Sequence, residues 1–340
     1  MTLAVSKSIT RGLKRYQIIA VLGFALATAL STQVRGQGPS DTTEALFANT
    51  QIFASHPDLQ FYADQARRAE DIARQLASAA NGQCANRWRH PGFYTLSLSD
   101  VPKSLRVHDL ARITEIPTVT NVTDPALQGK IAIGDQLLGV NNTLVPATSF
   151  DLQAQMALGK IRILRGGRVL NIYHDWTPAC YRPITITDGF EVAARTTPGS
   201  IDMSAGLFRF VRSDSELAFG IAHELSHFML NHSARLSRAR RKGRLSQSMK
   251  RRLETDADQA AVFLLIKAGF DPEAGVRFLN RTSVVRDIPL FGLSSHPTRR
   301  KRITTMRQTI AWANNNPQRV REEHIADLLA DMADDMDRSR

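Results

Sequence analysis

From Ser213 to His227 the chain reads SDSELAFGIAHELSH. Ser213 followed by Glu216 is the signature of a helix start, in which a hydroxyl caps the first turn. Leu217, Ile221, Leu225 and Phe228 then recur at helical spacing. On that helix His223 and His227, four residues apart, share one face. Two imidazoles so placed can grip one zinc ion. Glu224, beside them, is placed to take a proton from water that such an ion activates. The competing reading is a buried helix whose histidines are merely hydrogen-bonded. A third ligand decides between the two.

A metzincin arrangement requires Gly at 230 and His at 233, where this chain has Leu230 and Ser233. His232 falls one position short and reads as a surface residue or a support for a ligand. A second helix offers more. It opens at Arg252-Leu253-Glu254-Thr255-Asp256-Ala257-Asp258, runs to Lys267 and stops at Gly269, with Pro272 beyond. Glu254 and Asp258, four apart, lie on one face. Glu254 is the candidate third ligand, and Asp258 the carboxylate that orients a ligating histidine through its free N–H. Alone, the pair also suits a solvated acidic helix start. Asp256 points elsewhere. Further on comes Ser294-Ser295-His296-Pro297-Thr298, where Pro297 suits the first turn of a helix.

Together these pieces resemble the zinc metallopeptidases that include HtpX, the CAAX prenyl proteases and soluble periplasmic relatives such as BepA. The likeness covers roughly 184–303. It rests on the Glu216-Leu217-Ala218 lead-in, on His223-Glu224-x-x-His227 and Glu254-x-x-x-Asp258, and on Ser295-His296-Pro297 followed by Arg302. The resemblance implies one zinc per chain on His223, His227 and Glu254, with Glu224 as the base. It implies that His296 and Arg302 sit near the cleft as transition-state or substrate contacts. It also implies a strand at Gly199-Ser200-Ile201, before Gly206-Leu207, on which substrate lies as an added strand. The Asn-Ala pair that family members carry before this strand is replaced here by Glu191-Val192-Ala193-Ala194.

The middle of the chain is similar to a bacterial PDZ domain over about 95–176. The likeness is carried by Asp124-Pro125-Ala126-Leu127 and by Gly134-Asp135-Gln136-Leu137-Leu138-Gly139-Val140-Asn141-Asn142. A helix at Ser149–Leu158 and a hairpin at Ile161–Tyr173, turning at Gly166-Gly167, fit the same plan. Such a module binds a peptide or C-terminus by strand addition; an unrelated small β-domain is the alternative. The expected fold is therefore α+β. It comprises a mainly helical zincin-type domain (180–315) with a small antiparallel sheet, and a β-rich PDZ-like domain. A helical part at 42–90 precedes the insertion, including a helix at Asp58–Ala80. An acidic helix at 316–340 follows, with Ile325, Leu328, Leu329, Met332 and Met336 on one side.

Length and composition bound the rest. The chain has 340 residues, 44 basic and 32 acidic, for a net charge of +12. It is long enough for a substantial core, and its composition excludes a mainly disordered chain. Two cysteines exclude a disulfide-dense scaffold. Cys84 and Cys180 bracket the PDZ-like segment, either as a disulfide pinning its two ends or as free thiols. Lys7, Arg11, Lys14 and Arg15, then an apolar run to Leu30 with Ala27-Thr28-Ala29 inside it, read as a signal peptide at 1–29. The protein is then periplasmic or otherwise extracytoplasmic; an uncleaved N-terminal membrane anchor is the alternative.

Nine of the basic residues fall between Arg235 and Arg252 with no acid among them. This run has no aromatic residue to stack a base, which argues against nucleic acid. It reads as a solvated loop, or as a flexible gate that meets anionic lipid or acidic substrate. The function expected is a zinc metalloendopeptidase acting on proteins or peptides, among them misfolded envelope proteins. The alternative is an envelope chaperone or PDZ adaptor with a latent or structural zinc site.

Overall fold

The computed structural model describes residues 57–80, 82–84, 87–97, 101, 116–138, 149–282 and 297–338. The expected signal segment, the Gly139-to-Asn142 end of the PDZ-like signature and His296 lie outside them.

Helix α1 (Pro57–Ala79) buries Ala69, Ile72, Ala73 and Leu76, the face its periodicity defines. The chain then enters a β-rich module. Its elements are β1 (Trp88–Arg89), β2 (Phe93–Leu96), β3 (Thr118–Val122), β4 (Gln136–Leu137), helix α2 (Ser149–Ala157), β5 (Lys160–Arg165), β6 (Arg168–Tyr173) and β7 (Pro178–Ala179). Strands β2 to β6 form one antiparallel sheet in sequence order. Gly166 and Gly167, with φ of 53° and 76°, make the two-residue turn between β5 and β6, a conformation that side chains resist. Phe93, Val119, Leu127, Leu137, Met156, Ile161, Ile163 and Trp176 give this module a core of its own. Arg165 forks on the buried Asp135 at 2.6 Å through each of two nitrogens.

The entry and exit of the module are tied together. Strands β1 and β7 pair antiparallel, Trp88 opposite Ala179. The Gln153 amide accepts from the Arg89 N–H and donates to its carbonyl, at 2.6 and 2.5 Å. Beside this ribbon Cys84 and Cys180 form a disulfide, with Cα atoms 5.3 Å apart.

Beyond the ribbon the chain builds a three-stranded sheet from β8 (Ile184–Thr187), β9 (Ala194–Thr196) and β10 (Ile201–Ser204), then helices. These are α3 (Ala205–Phe210), α4 (Asp214–Met229), α5 (His232–Arg241), α6 (Gln247–Lys267), α7 (Ala274–Thr282), α8 (Arg299–Asn315), α9 (Pro317–Glu322) and α10 (Ile325–Arg338). Helix α6 is the central rod. Ala260 to Leu265 are buried on every side, so this helix is enclosed rather than amphipathic. Helices α1, α4, α8 and α10 pack on it. Ile325, Leu328 and Met332 bring the C-terminal helix onto the same core. No described helix is long and apolar enough to cross a membrane.

Four expectations change. The small sheet is mixed rather than antiparallel. Strand β10 runs parallel to β8 and antiparallel to β9, because β9 supplies the return stroke that parallel neighbours require. The Ile201 strand is therefore central, paired on both sides, and cannot accept a further strand; β9 is an edge. The basic run is not a loop. It forms α5 and the start of α6, joined by a short turn. Finally, Thr298 caps α8 and leaves Pro297 just outside it.

Candidate active site

Helix α4 starts as its cap signature predicts, with Ser213 Oγ accepting from the Glu216 N–H at 3.3 Å. The reciprocal half of a capping box is absent. The Glu216 carboxylate accepts the Arg212 N–H and is forked by Arg281 from α7. That pair anchors the start of the helix whose far half carries His223, Glu224 and His227.

Helix α6 packs against α4 and brings Glu254 to the two histidines. His223 Nε2 and His227 Nε2 lie 3.3 Å apart. Glu254 places one carboxylate oxygen 3.4 Å from His223 Nε2 and the other 3.8 Å from His227 Nε2. Ligands about 2.0–2.1 Å from a tetrahedral zinc are about 3.3–3.4 Å from one another. The spacing and the His–His–Glu donor set thus both fit a zinc ion. The His223 side chain is 1 % exposed, but His227 and Glu254 are 17 % and 14 % exposed. Solvent therefore reaches the cluster from one side, as a hydrolytic site needs and a closed structural site does not.

Behind the cluster, His223 Nδ1 donates to Asp258 at 3.0 Å. Arg302 of α8 forks on Asp258 at 2.7 and 2.6 Å. This differs from the place expected for Arg302. Its side chain is 5 % exposed and gives two donors to the carboxylate that His223 meets. Its surroundings support holding Asp258, not touching substrate. Asp256 stands off the cluster and pairs with Arg235 at 3.7 Å.

Thr196 is a partner that the sequence does not mark, and His232 is not at the surface, which was one of its two readings. Thr196, the last residue of β9, donates its hydroxyl to the Glu224 carboxylate at 2.7 Å and lies 3.0 Å from the Glu224 carbonyl oxygen. No local pattern announces this, since the two residues meet only when β9 crosses α4. His232 is buried, and its Nδ1 lies 2.9 Å from Nδ1 of His227. Its place five residues after His227 was the available signal.

The electrostatics favour a cation. Burial disfavours charge on His223, yet hydrogen bonds to Asp258 and Glu254 outweigh it and raise its pKa to about 10. Burial and the neighbouring His223 charge lower the pKa of His227. Asp258 resists burial because of Arg302 and His223, which hold its carboxyl well below the usual range. His232 is pushed down to about 3, first by burial and then by His227 and Arg235. The carboxylates thus draw positive charge to the point where the three ligand atoms converge.

No curated protein matches this sequence. A family model described as peptidase family M48 matches residues 185–243 and 238–310. That stretch carries each of these groups, and with the His223–His227–Glu254 cluster it supports a zinc metallopeptidase of the M48 type.

Proposed function

We propose that this protein is an extracytoplasmic zinc endopeptidase with Glu224 as its general base. One observation carries the reading: a carboxylate pinned by Thr196 sits on the helix that carries both histidines of a solvent-reachable His–His–Glu cluster. When bound, zinc supplies the Lewis acidity that acidifies water and polarises a carbonyl. His223, His227 and Glu254 would hold the ion. Glu224 takes the proton from the attacking water and passes it to the leaving amine. Asp258, clamped by Arg302, keeps His223 oriented. His296 keeps its proposed place as a contact near the cleft.

Substrate lies along β9, the sheet edge beside Glu224, as an added strand. The β-rich module is assigned a PDZ-like role, holding an extended peptide or chain end for delivery to that edge. Misfolded envelope proteins are the proposed substrate class, supported by the export-type N-terminus and by a disulfide that suits an oxidising compartment. The exposed cations of α5 and α6 are proposed to face an anionic membrane surface.

The test is degradation of an unfolded protein by wild type and by Glu224→Gln, each with and without a chelator. Glu224→Gln should retain one zinc per chain and lose turnover by at least about 10²–10⁴-fold. Peptides trapped by that variant should cross-link to β9 and to the module sheet. Undiminished turnover in the purified variant would favour an adaptor with a latent zinc site.

A further inference from the structure

We propose that His232 positions the ligand His227 by accepting its Nδ1–H, so that the lone pair of His227 Nε2 is held on the metal. The proposal rests on the zinc-site reading above and deepens it.

The two Nδ1 atoms face each other at 2.9 Å, a hydrogen-bond distance that admits one proton between them. Two N–H groups would collide there, and two lone pairs would repel. If the proton sits on His232, neutral His227 carries its own proton on Nε2. That N–H would then point at His223 Nε2, 3.3 Å away, and close the site to a cation. If the proton sits on His227, Nε2 is a free lone pair. Metal binding therefore selects one arrangement, with His227 as donor and His232 as acceptor protonated on Nε2.

The placement of His232 is built rather than incidental. Asn231, between α4 and α5, has φ 53° and ψ 40°, a left-handed conformation that asparagine tolerates better than most residues other than glycine. Leu230 caps the end of one helix and Asn231 the start of the next, so only these two residues separate them. His232, the first residue of α5, is thereby turned back onto His227. The ring is 1 % exposed, and its Nε2 meets no hydrogen-bond partner among the described residues. An aliphatic side chain would serve the fold there at lower desolvation cost.

The chemistry of the acceptor matters too. His223 is backed by a carboxylate, which strengthens it as a donor to the metal. His227 is backed by a neutral ring, which pushes less electron density onto its ligand. The two imidazoles are thus backed unequally, one by a carboxylate and one by a neutral ring.

The experiment compares full-length wild type, His232→Leu and His232→Asn. Asn places Oδ1 where the ring has Nδ1. Zinc affinity by chelator competition should fall about 10–100-fold in His232→Leu and recover in part in His232→Asn. The zinc-free His232→Leu protein should melt no lower than zinc-free wild type. In zinc-loaded, 15N-labelled wild type, a coupling across the hydrogen bond should join the two Nδ1 atoms. Unchanged zinc affinity in His232→Leu, or absence of that coupling, overturns the proposal. A loss of affinity matched by a lower zinc-free melting temperature also overturns it, because that marks a structural role. Failure of wild type to bind zinc would instead overturn the metallopeptidase reading itself.

Discussion

Each working group of the site is held by a residue from a different part of the chain: His223 by Asp258, His227 by His232, Glu224 by Thr196. The last of these is the easiest to isolate. A hydrogen bond to a charged group contributes about 1.5–3 kcal/mol. Thr196→Val keeps the shape and removes the donor, so kcat should fall roughly ten- to hundredfold. Zinc content and KM should stay unchanged, and Thr196→Ser should restore the rate. Equal turnover in wild type and Thr196→Val would show that the hydroxyl does not position the base. The contrast with Glu254 and Asp258 explains what sequence can reveal at this scale. Residues four apart on a helix are neighbours by geometry alone, so both helix motifs carry their own face with them. Thr196 and Arg302 reach Glu224 and Asp258 only through tertiary packing, and nothing in their own neighbourhoods marks them.

Among the elements, the longer helices and the β5–β6 hairpin were legible because period and turn residues state them locally. The sheet pairing was not, since β8, β9 and β10 are too short to declare a direction, and their order is settled by packing, β9 and β10 on α4 and β8 on α1. The basic run misled for a different reason. Its charge suggested a solvated loop, but arginine is a good helix former, and one face supplies Leu236 and the buried Ala239. The disulfide makes a prediction at this scale. Cys84 and Cys180 stand 96 residues apart, and the bond closes a loop around the whole β-rich module. Cross-linking a loop of about that length stabilises a fold by restricting the unfolded chain, at about 2–5 kcal/mol. Cys84→Ala with Cys180→Ala should lower the unfolding free energy by that amount, read as a lower urea midpoint in matched unfolding curves. Both sulfurs are buried, so reductant should reach them only on unfolding. An unchanged midpoint in the double variant would mean that the β1–β7 ribbon alone pins the module.

For the whole molecule, the net charge of +12 is almost entirely two local features. Outside the first fifteen residues and Arg235 to Arg252, 31 basic residues face 32 acidic ones. The protein therefore has a nearly neutral body with one cationic surface. Eight of the nine basic side chains in that run are exposed, and among the described residues the run makes one ion pair, Arg235 with Asp256. The helical form gives this surface a fixed place. It begins beside His232, which meets the candidate ligand His227, and ends just before Glu254, another candidate ligand. A surface docked on α5 would thus hold the open side of the site at a set orientation to the membrane. Each cation near an anionic bilayer contributes about 1 kcal/mol, so even three or four that reach it together give measurable binding. The protein should cosediment with vesicles containing phosphatidylserine and not with neutral phosphatidylcholine vesicles. Binding should weaken with salt, as the screening length shrinks to about 8 Å at physiological ionic strength. Changing Arg238, Arg241 and Arg244 together to Glu should abolish it. These three side chains are exposed and make no described contact with the metal cluster, so the variant should degrade soluble unfolded protein at the wild-type rate. Equal sedimentation with neutral and anionic vesicles would remove the membrane from the proposal. Salt-sensitive binding to DNA, lost in the same variant, would replace it with nucleic acid.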